Sequence, residues 1–195
     1  SLALALKYNK KVGAHPSYPD RENFGRVSIP IPIGELIESI RQQIEWFTKS
    51  ARARNLSLDH IKFHGALYND AAKDSDLANP LTDFLLENYP QTPLLVPPHS
   101  ELEKKAQEKG LLIRLEVFAD RAYRSDYLLS SRSLQGSLLK DIASVEPQVK
   151  RLLFEGQLLS MEGIQLPIQA DTLCFHGDNP GIVDFLPLLR KRYWT

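Results

Sequence analysis

Cysteine is nearly missing from this chain: Cys174 is the single one in 195 residues. One thiol cannot build an internal disulfide framework, so a hydrophobic core must hold the fold, and a reducing cytoplasm is the compartment that fits. Net charge is missing too, with 24 Lys and Arg against 24 Asp and Glu, and the densest basic cluster is the run Arg190, Lys191, Arg192 near the C-terminus. A general electrostatic hold on nucleic acid is therefore not expected. The longest apolar runs fall far short of a membrane span, so no membrane partner is expected. Neither nucleotide-loop pattern, GxxxxGK(S/T) or GxGxxG, occurs, and with one cysteine no CxxC spacing announces a metal. No repeat of fixed period and no low-complexity linker divides the chain. The expectation left standing is one soluble, cytoplasmic α/β domain over residues 1–195, with 43% hydrophobic residues to fill its core.

Within that frame the apolar pattern predicts both kinds of element. Leu36, Ile37, Ile40, Ile44 and Phe47 recur at helical spacing and predict a long helix over 34–55. Further helices are expected over 76–88, 99–109, 146–154 and 180–190, and short β runs over 11–14, 60–63, 93–96, 113–118 and 172–175. Strands interleaved with helices point to parallel βαβ units. Residues 156–168 differ, because two short β-type runs flank Gly163 and predict a small hairpin. The chain opens on Leu2, Ala3, Leu4, Ala5, Leu6, Lys7 with no capping residue, like the tail of a helix. Uncapped helix starts leave backbone N–H groups unpartnered, so a further N-terminal stretch is expected to precede Ser1.

The residues just past each β run carry the functional signal. The first run ends in His15, Pro16, Ser17, Tyr18; the second in His64, Gly65; the third in His99; the last in His176, Gly177, Asp178. The fourth carries Glu116 and ends in Asp120, Arg121. In parallel α/β folds these strand ends share one face, where substrates bind, so the polar residues are expected to converge there. A lone strand-end histidine is weak, since histidine also serves caps and loop carbonyls. Convergence of His15, His64 and His176 is stronger, because titratable clusters seldom serve packing alone. His60, at a strand start, is expected on the opposite face as a structural residue.

Each motif also has a plainer reading. The prolines at 16 and 19 stiffen the loop holding His15 and Tyr18, which is also what an ordinary rigid turn does. Arg26 suits two-pronged binding of an anion. Lys62 and His64 lie two apart and point the same way on a strand, with Gly65 opening a helix whose free N–H groups would hold an anion. Lys62 is costly to bury unless it is used or paired, and Glu116 is the candidate partner. Asp120 and Arg121 read either as site residues or as a self-satisfying loop ion pair. Arg132 sits in a serine-rich stretch and says little alone. Asp178 or Asn179 is expected to cap a helix with Pro180 in its first turn. Metal binding by the histidines with Glu116, Asp120 and Asp178 is a rival reading of the same residues, and no metal ligand is assigned.

Together, VGAHPSYPD with FGR (12–26), KFHGALYN (62–69), EVFADRAY (116–123), SRSLQGS (131–137) and ADTLCFHGDNP (170–180) resemble the LamB/YcsF family, in the family's order and over nearly the whole chain. The resemblance implies a (β/α) barrel-like fold related to the glycoside hydrolase/deacetylase superfamily. It also implies an ATP-hydrolysing 5-oxoprolinase activity, opening the cyclic amide to glutamate, in a complex with B and C subunits. ATP, with Mg2+, is expected as co-substrate, without a tightly bound cofactor. Family members usually begin with an Asp-rich strand, DxNxDxGE, and an ACGFHAGD segment, neither of which is present, and the family's GRR and KPHG read here as Gly25-Arg26-Val27 and Lys62-Phe63-His64-Gly65. On this reading His15, Lys62, His64, Glu116, Asp120 and His176 are the catalytic candidates. Tyr18, Arg26, Tyr68, Asn69, Arg121, Arg132 and Asp178 are the substrate-binding ones. The rivals are a metal-dependent deacetylase or polysaccharide hydrolase, and a non-catalytic subunit that binds a small acid.

Overall fold

The structure, a computed structural model, describes residues 2–194. Ser1, at the head of the expected helix tail, lies outside them. The chain divides into two compact units, one running to Arg114 and one starting at Leu115.

The first unit is built from alternating helices and parallel strands, as the periodicity predicts. Helix α1 (Leu2–Lys7) and strand β1 (Val12–Ala14) precede the long helix α2 (Ile33–Arg52). Strand β2 (Leu58–Ile61), helices α3 (Gly65–Lys73) and α4 (Ser75–Asn88), strand β3 (Leu94–Val96) and helix α5 (Glu101–Glu108) follow. β1 pairs with β2 and β2 with β3, all parallel. Leu36, Ile40, Ile44 and Ala51 form the buried stripe of α2, each position burying about 1.5–3 kcal/mol of apolar side chain where that side chain is Leu or Ile. Asp74 caps α4 by accepting from Asp76 and Leu77 N–H, and Ser100 caps α5 by accepting from Glu103 N–H. Glu103 returns a bond to His99 N–H, so the third strand end is a helix start built by a reciprocal capping pair.

The second unit contains most of strand β4 (Ile113–Phe118), helix α6 (Ile142–Lys150) continued by a wider turn over Arg151–Glu155, strands β5 (Gln157–Leu159), β6 (Gln165–Pro167) and β7 (Thr172–Cys174), and helix α7 (Ile182–Tyr193). β4 and β7 pair in parallel with Glu116 opposite Thr172 and Phe118 opposite Cys174. β5 and β6 form the expected antiparallel hairpin. Ala119, Val145, Val149, Phe185 and Leu189 are fully buried together, so α6 and α7 seal one side of the β4 end. Pro180 lies before α7, and the helix takes Gly181 as its N-cap without a side-chain bond. Among the described residues no helix is long and apolar enough to cross a membrane.

Candidate functional site

Each unit gathers part of the expected set at its strand ends. In the first, the loop after β1 is pinned: Gln43 of α2 donates to Ser17 C=O and accepts from Ser17 N–H, while Gly25 N–H closes onto Asp20 C=O. The backbone after β2 continues alongside it, with Lys62 N–H on Ala14 C=O and His64 N–H on Pro16 C=O. The strand pattern thus persists past its formal end, and Phe63 between them is fully buried. His15 and His64 therefore meet. His15 Nε2 lies 3.0 Å from His64 Nδ1, His15 Nδ1 lies 2.8 Å from Lys62 C=O, and His64 Nε2 lies 3.0 Å from Phe24 C=O.

Loss of water around its ring, then Lys62 and His64, push the His15 pKa down to about 3, although the residue as a whole is exposed to solvent, so the neighbouring cations are the firmer cause. The Lys62 ammonium stands 5.8 Å from the centre of the buried Tyr68 ring. Tyr18 is buried and donates its hydroxyl to Asp70, which together with burial raises its pKa to about 12. That commitment makes Tyr18 a brace between the loop and α3. Arg26 is exposed and stacks over Phe24, and Asn69 is exposed on α3.

Two expectations change here. Gly65 does permit a close backbone approach, at φ +60, but the group that approaches is the chain itself: Gly25 C=O accepts from Ala66 N–H. One of the N–H groups expected to hold an anion is thereby taken. His60 is not at the strand start, because β2 begins at Leu58 and His60 is its third residue. Its ring covers Gly13, its Nδ1 is bonded to Asp59, and its charge would oppose protonation of His15. Asp59 is desolvated, yet Arg114, His60 and Lys11 around it hold its carboxyl well below the usual range.

In the second unit the centre is Asp120. Its side chain is fully buried, and it accepts from His176 N–H at 3.0 Å, from the His176 ring Nδ1 at 2.8 Å and from Asn179 Nδ2 at 2.9 Å. Burial opposes ionisation of this carboxyl, but the donors from His176 and Asn179 outweigh it and the pKa falls. The carboxylate fixes Nδ1 of His176 as the N–H nitrogen and leaves Nε2 bare in the neutral ring. Phe118 stacks on the imidazole with centroids 4.8 Å apart, and the His176 side chain keeps 19% of its surface accessible. An oriented, part-exposed imidazole with a free basic nitrogen is suited to general base work.

The loop ion-pair reading of Asp120 and Arg121 is overturned. Arg121 turns the other way and donates to Ser130 C=O at 2.6 Å and Ser137 C=O at 3.3 Å. Burial and the neighbouring Arg132 lower its pKa. These two bonds tie the ends of the 130–137 loop together. Arg132 reaches Asp178 at 3.4 Å, both being exposed. The capping expectation for Asn179 is also overturned in large part, since its amide donates to Asp120 and Leu139 C=O, and its Oδ1 accepts from Gly181 N–H ahead of the helix. Glu116 is buried, one pleat before Phe118 on β4.

Sequence reasoning missed Gln148. Buried on α6, it donates to the carbonyls of Phe118, Ala119 and Arg121, holding the strand end that carries Asp120. A lone polar residue at a core position of a helix was the available signal. Phe118 as the stacking surface for His176 was likewise unmarked. Among the described residues no three His, Cys, Asp or Glu come together as a metal-binding group.

The LamB/YcsF family model matches residues 1–194. The chain belongs to the LamB/YcsF family. Among its relatives, a protein of Erwinia tasmaniensis described as the A subunit of 5-oxoprolinase is 37% identical over 193 residues, covering 99% of this chain and 79% of that one. The Pyrococcus horikoshii protein of the same description is 35% identical over 191 residues, covering 98% and 75%. The crystal structure of a lactam utilization protein from Thermus thermophilus aligns with a TM-score of 0.88 and 31% identity, over 98% of this LamB/YcsF chain and 77% of that one. This likeness bears out the expected barrel-like α/β class.

Proposed function

We propose that this chain is the A subunit of an ATP-hydrolysing 5-oxoprolinase, acting with B and C subunits in the cytoplasm to open 5-oxoproline to glutamate. The observation that carries the reading is the Asp120–His176 pair, an imidazole held in one tautomer with its second nitrogen bare, in a chain similar to proteins described as the A subunit of 5-oxoprolinase. A five-membered lactam resists water because amide resonance must be lost at the carbonyl carbon. Transfer of the γ-phosphoryl group of ATP to the lactam oxygen removes that resistance. Water then adds to the carbon while a base takes its proton, the C–N bond breaks as the nitrogen gains one, and a second water hydrolyses the acyl phosphate to glutamate and phosphate. His176 is assigned the proton from water, with Asp120 stabilising the imidazolium that forms. His64, backed by His15, is assigned the proton for the leaving nitrogen. Lys62 and Arg26 are assigned to anionic groups, and Glu116 to orientation. Tyr68, Asn69, Arg132 and Asp178 are assigned to contacts with the substrate. Mg2+ would accompany the nucleotide's phosphates, and no step is assigned to a metal held by the chain. The deciding experiment measures ATP-dependent glutamate release by the reconstituted complex. His176→Gln is expected to reduce it by about 10²-fold or more; near-normal turnover refutes the assignment.

A further inference from the structure

His15 and His64 make three contacts that each require one ring proton. Lys62 C=O and Phe24 C=O can only accept, so the nitrogens facing them, His15 Nδ1 and His64 Nε2, must each carry hydrogen. The contact of 3.0 Å between His15 Nε2 and His64 Nδ1 needs a third hydrogen between the two nitrogens. Two neutral imidazoles carry only two. With the pair neutral, two lone pairs face each other across that contact, or one ring nitrogen faces a carbonyl without a proton. One added proton satisfies all three contacts at once.

We infer that the pair holds this third proton, with His64 as the imidazolium and His15 as a neutral positioning residue that accepts from it. The assignment to His64 follows from surroundings. His15 lies beside Lys62, and His60 lies near as well, so a positive charge is disfavoured there, as its lowered pKa also indicates. His64 meets Phe24 edge-on at 5.2 Å, with Arg26 stacked over the same Phe24 ring. Its two ring nitrogens both have acceptors in line. Those two acceptors favour the charged form, against the cations Lys62 and Arg26. Loss of the proton at His64 Nε2 would free Phe24 C=O, which couples the protonation of His64 to the turn at Phe24 and Gly25, both at positive φ. The use of His64 as an acid in ring opening rests on the function proposed above; the charge state does not, and it is measured without substrate.

The test is a long-range proton–nitrogen correlation spectrum of the full 15N-labelled chain at pH 7, assigned with His15→Gln and His64→Gln. The expected spectrum shows His64 with both ring nitrogens protonated and His15 as the neutral Nδ1–H tautomer. In His15→Leu, which removes the acceptor, His64 is expected to lose its double protonation at pH 7. His15→Gln, whose amide oxygen again accepts, is expected to restore it. A wild-type His64 with one protonated nitrogen at pH 7, or a doubly protonated His64 that His15→Leu leaves unchanged, overturns the inference. Because the wild-type spectrum alone decides the first point, poor folding of a variant does not rescue it.

Discussion

Replacing Asp120 separates the structural and chemical parts of this site. Its carboxylate is fully buried and accepts three donors, the backbone N–H and ring Nδ1 of His176 and the amide of Asn179. Hydrogen bonds to a charged group contribute about 1.5–3 kcal/mol each. They act as one network, and removing the carboxylate also removes its own desolvation cost, so the sum is not reached. Asp120→Ala is expected to destabilise the chain by about 3–5 kcal/mol, the range for breaking a buried charged network. Asp120→Asn is different. The oxygen facing two donors must stay an oxygen, so the amide NH2 has to occupy the position facing His176 Nδ1. That forces the His176 proton from Nδ1 to Nε2. Stability then falls by only about 1–2 kcal/mol, while Nε2 ceases to be basic and glutamate release falls by about 10²-fold or more. Urea unfolding of both variants and turnover of the reconstituted complex supply the two readouts. A loss below about 1 kcal/mol for Asp120→Ala, or full activity in a folded Asp120→Asn, refutes this account.

Other perturbations follow from the same geometry. Gly65→Ala would combine φ +60 with a Cβ driven into Gly25 C=O, so a loss of about 2–4 kcal/mol is expected, measured by thermal unfolding. Arg121→Met keeps the buried stem but removes the bonds to Ser130 and Ser137 C=O. It is expected to cost about 1–3 kcal/mol and to raise amide exchange over 122–138 specifically. Asp59 and Asp120 are both held below their ordinary carboxylate values. A depressed acid contributes stability that is present above its unfolded pKa, near about 3.9, and is lost as pH falls through its lower folded value. His15, depressed as a base, binds its proton more readily when unfolded, so stability is expected to decline already as pH drops below about 6.5. Urea midpoints from pH 8 to pH 3 check both, and a flat profile contradicts them.

The residues themselves determined the α/β class, the parallel units, the hairpin and the identity of the strand-end histidines. Those follow from local pattern: helical spacing in α2, short β runs bounded by turn residues, and glycine between the hairpin strands. Element bounds shifted by a residue or a few, because capping by Asp74, Ser100 and Asp141 is decided by side-chain geometry. Which polar group meets which was not legible in the order of residues. Asp120 and Arg121 are neighbours in the chain but face different partners, since consecutive residues after a strand point apart. His176 and Asp120 are 56 positions apart, yet parallel pairing of β4 with β7 brings their strand ends side by side. The same holds for His15 and His64, 49 positions apart and joined through β1 and β2. Composition and periodicity specify which surfaces must be buried, and tertiary pairing alone decides which imidazole receives a carboxylate and which receives another imidazole.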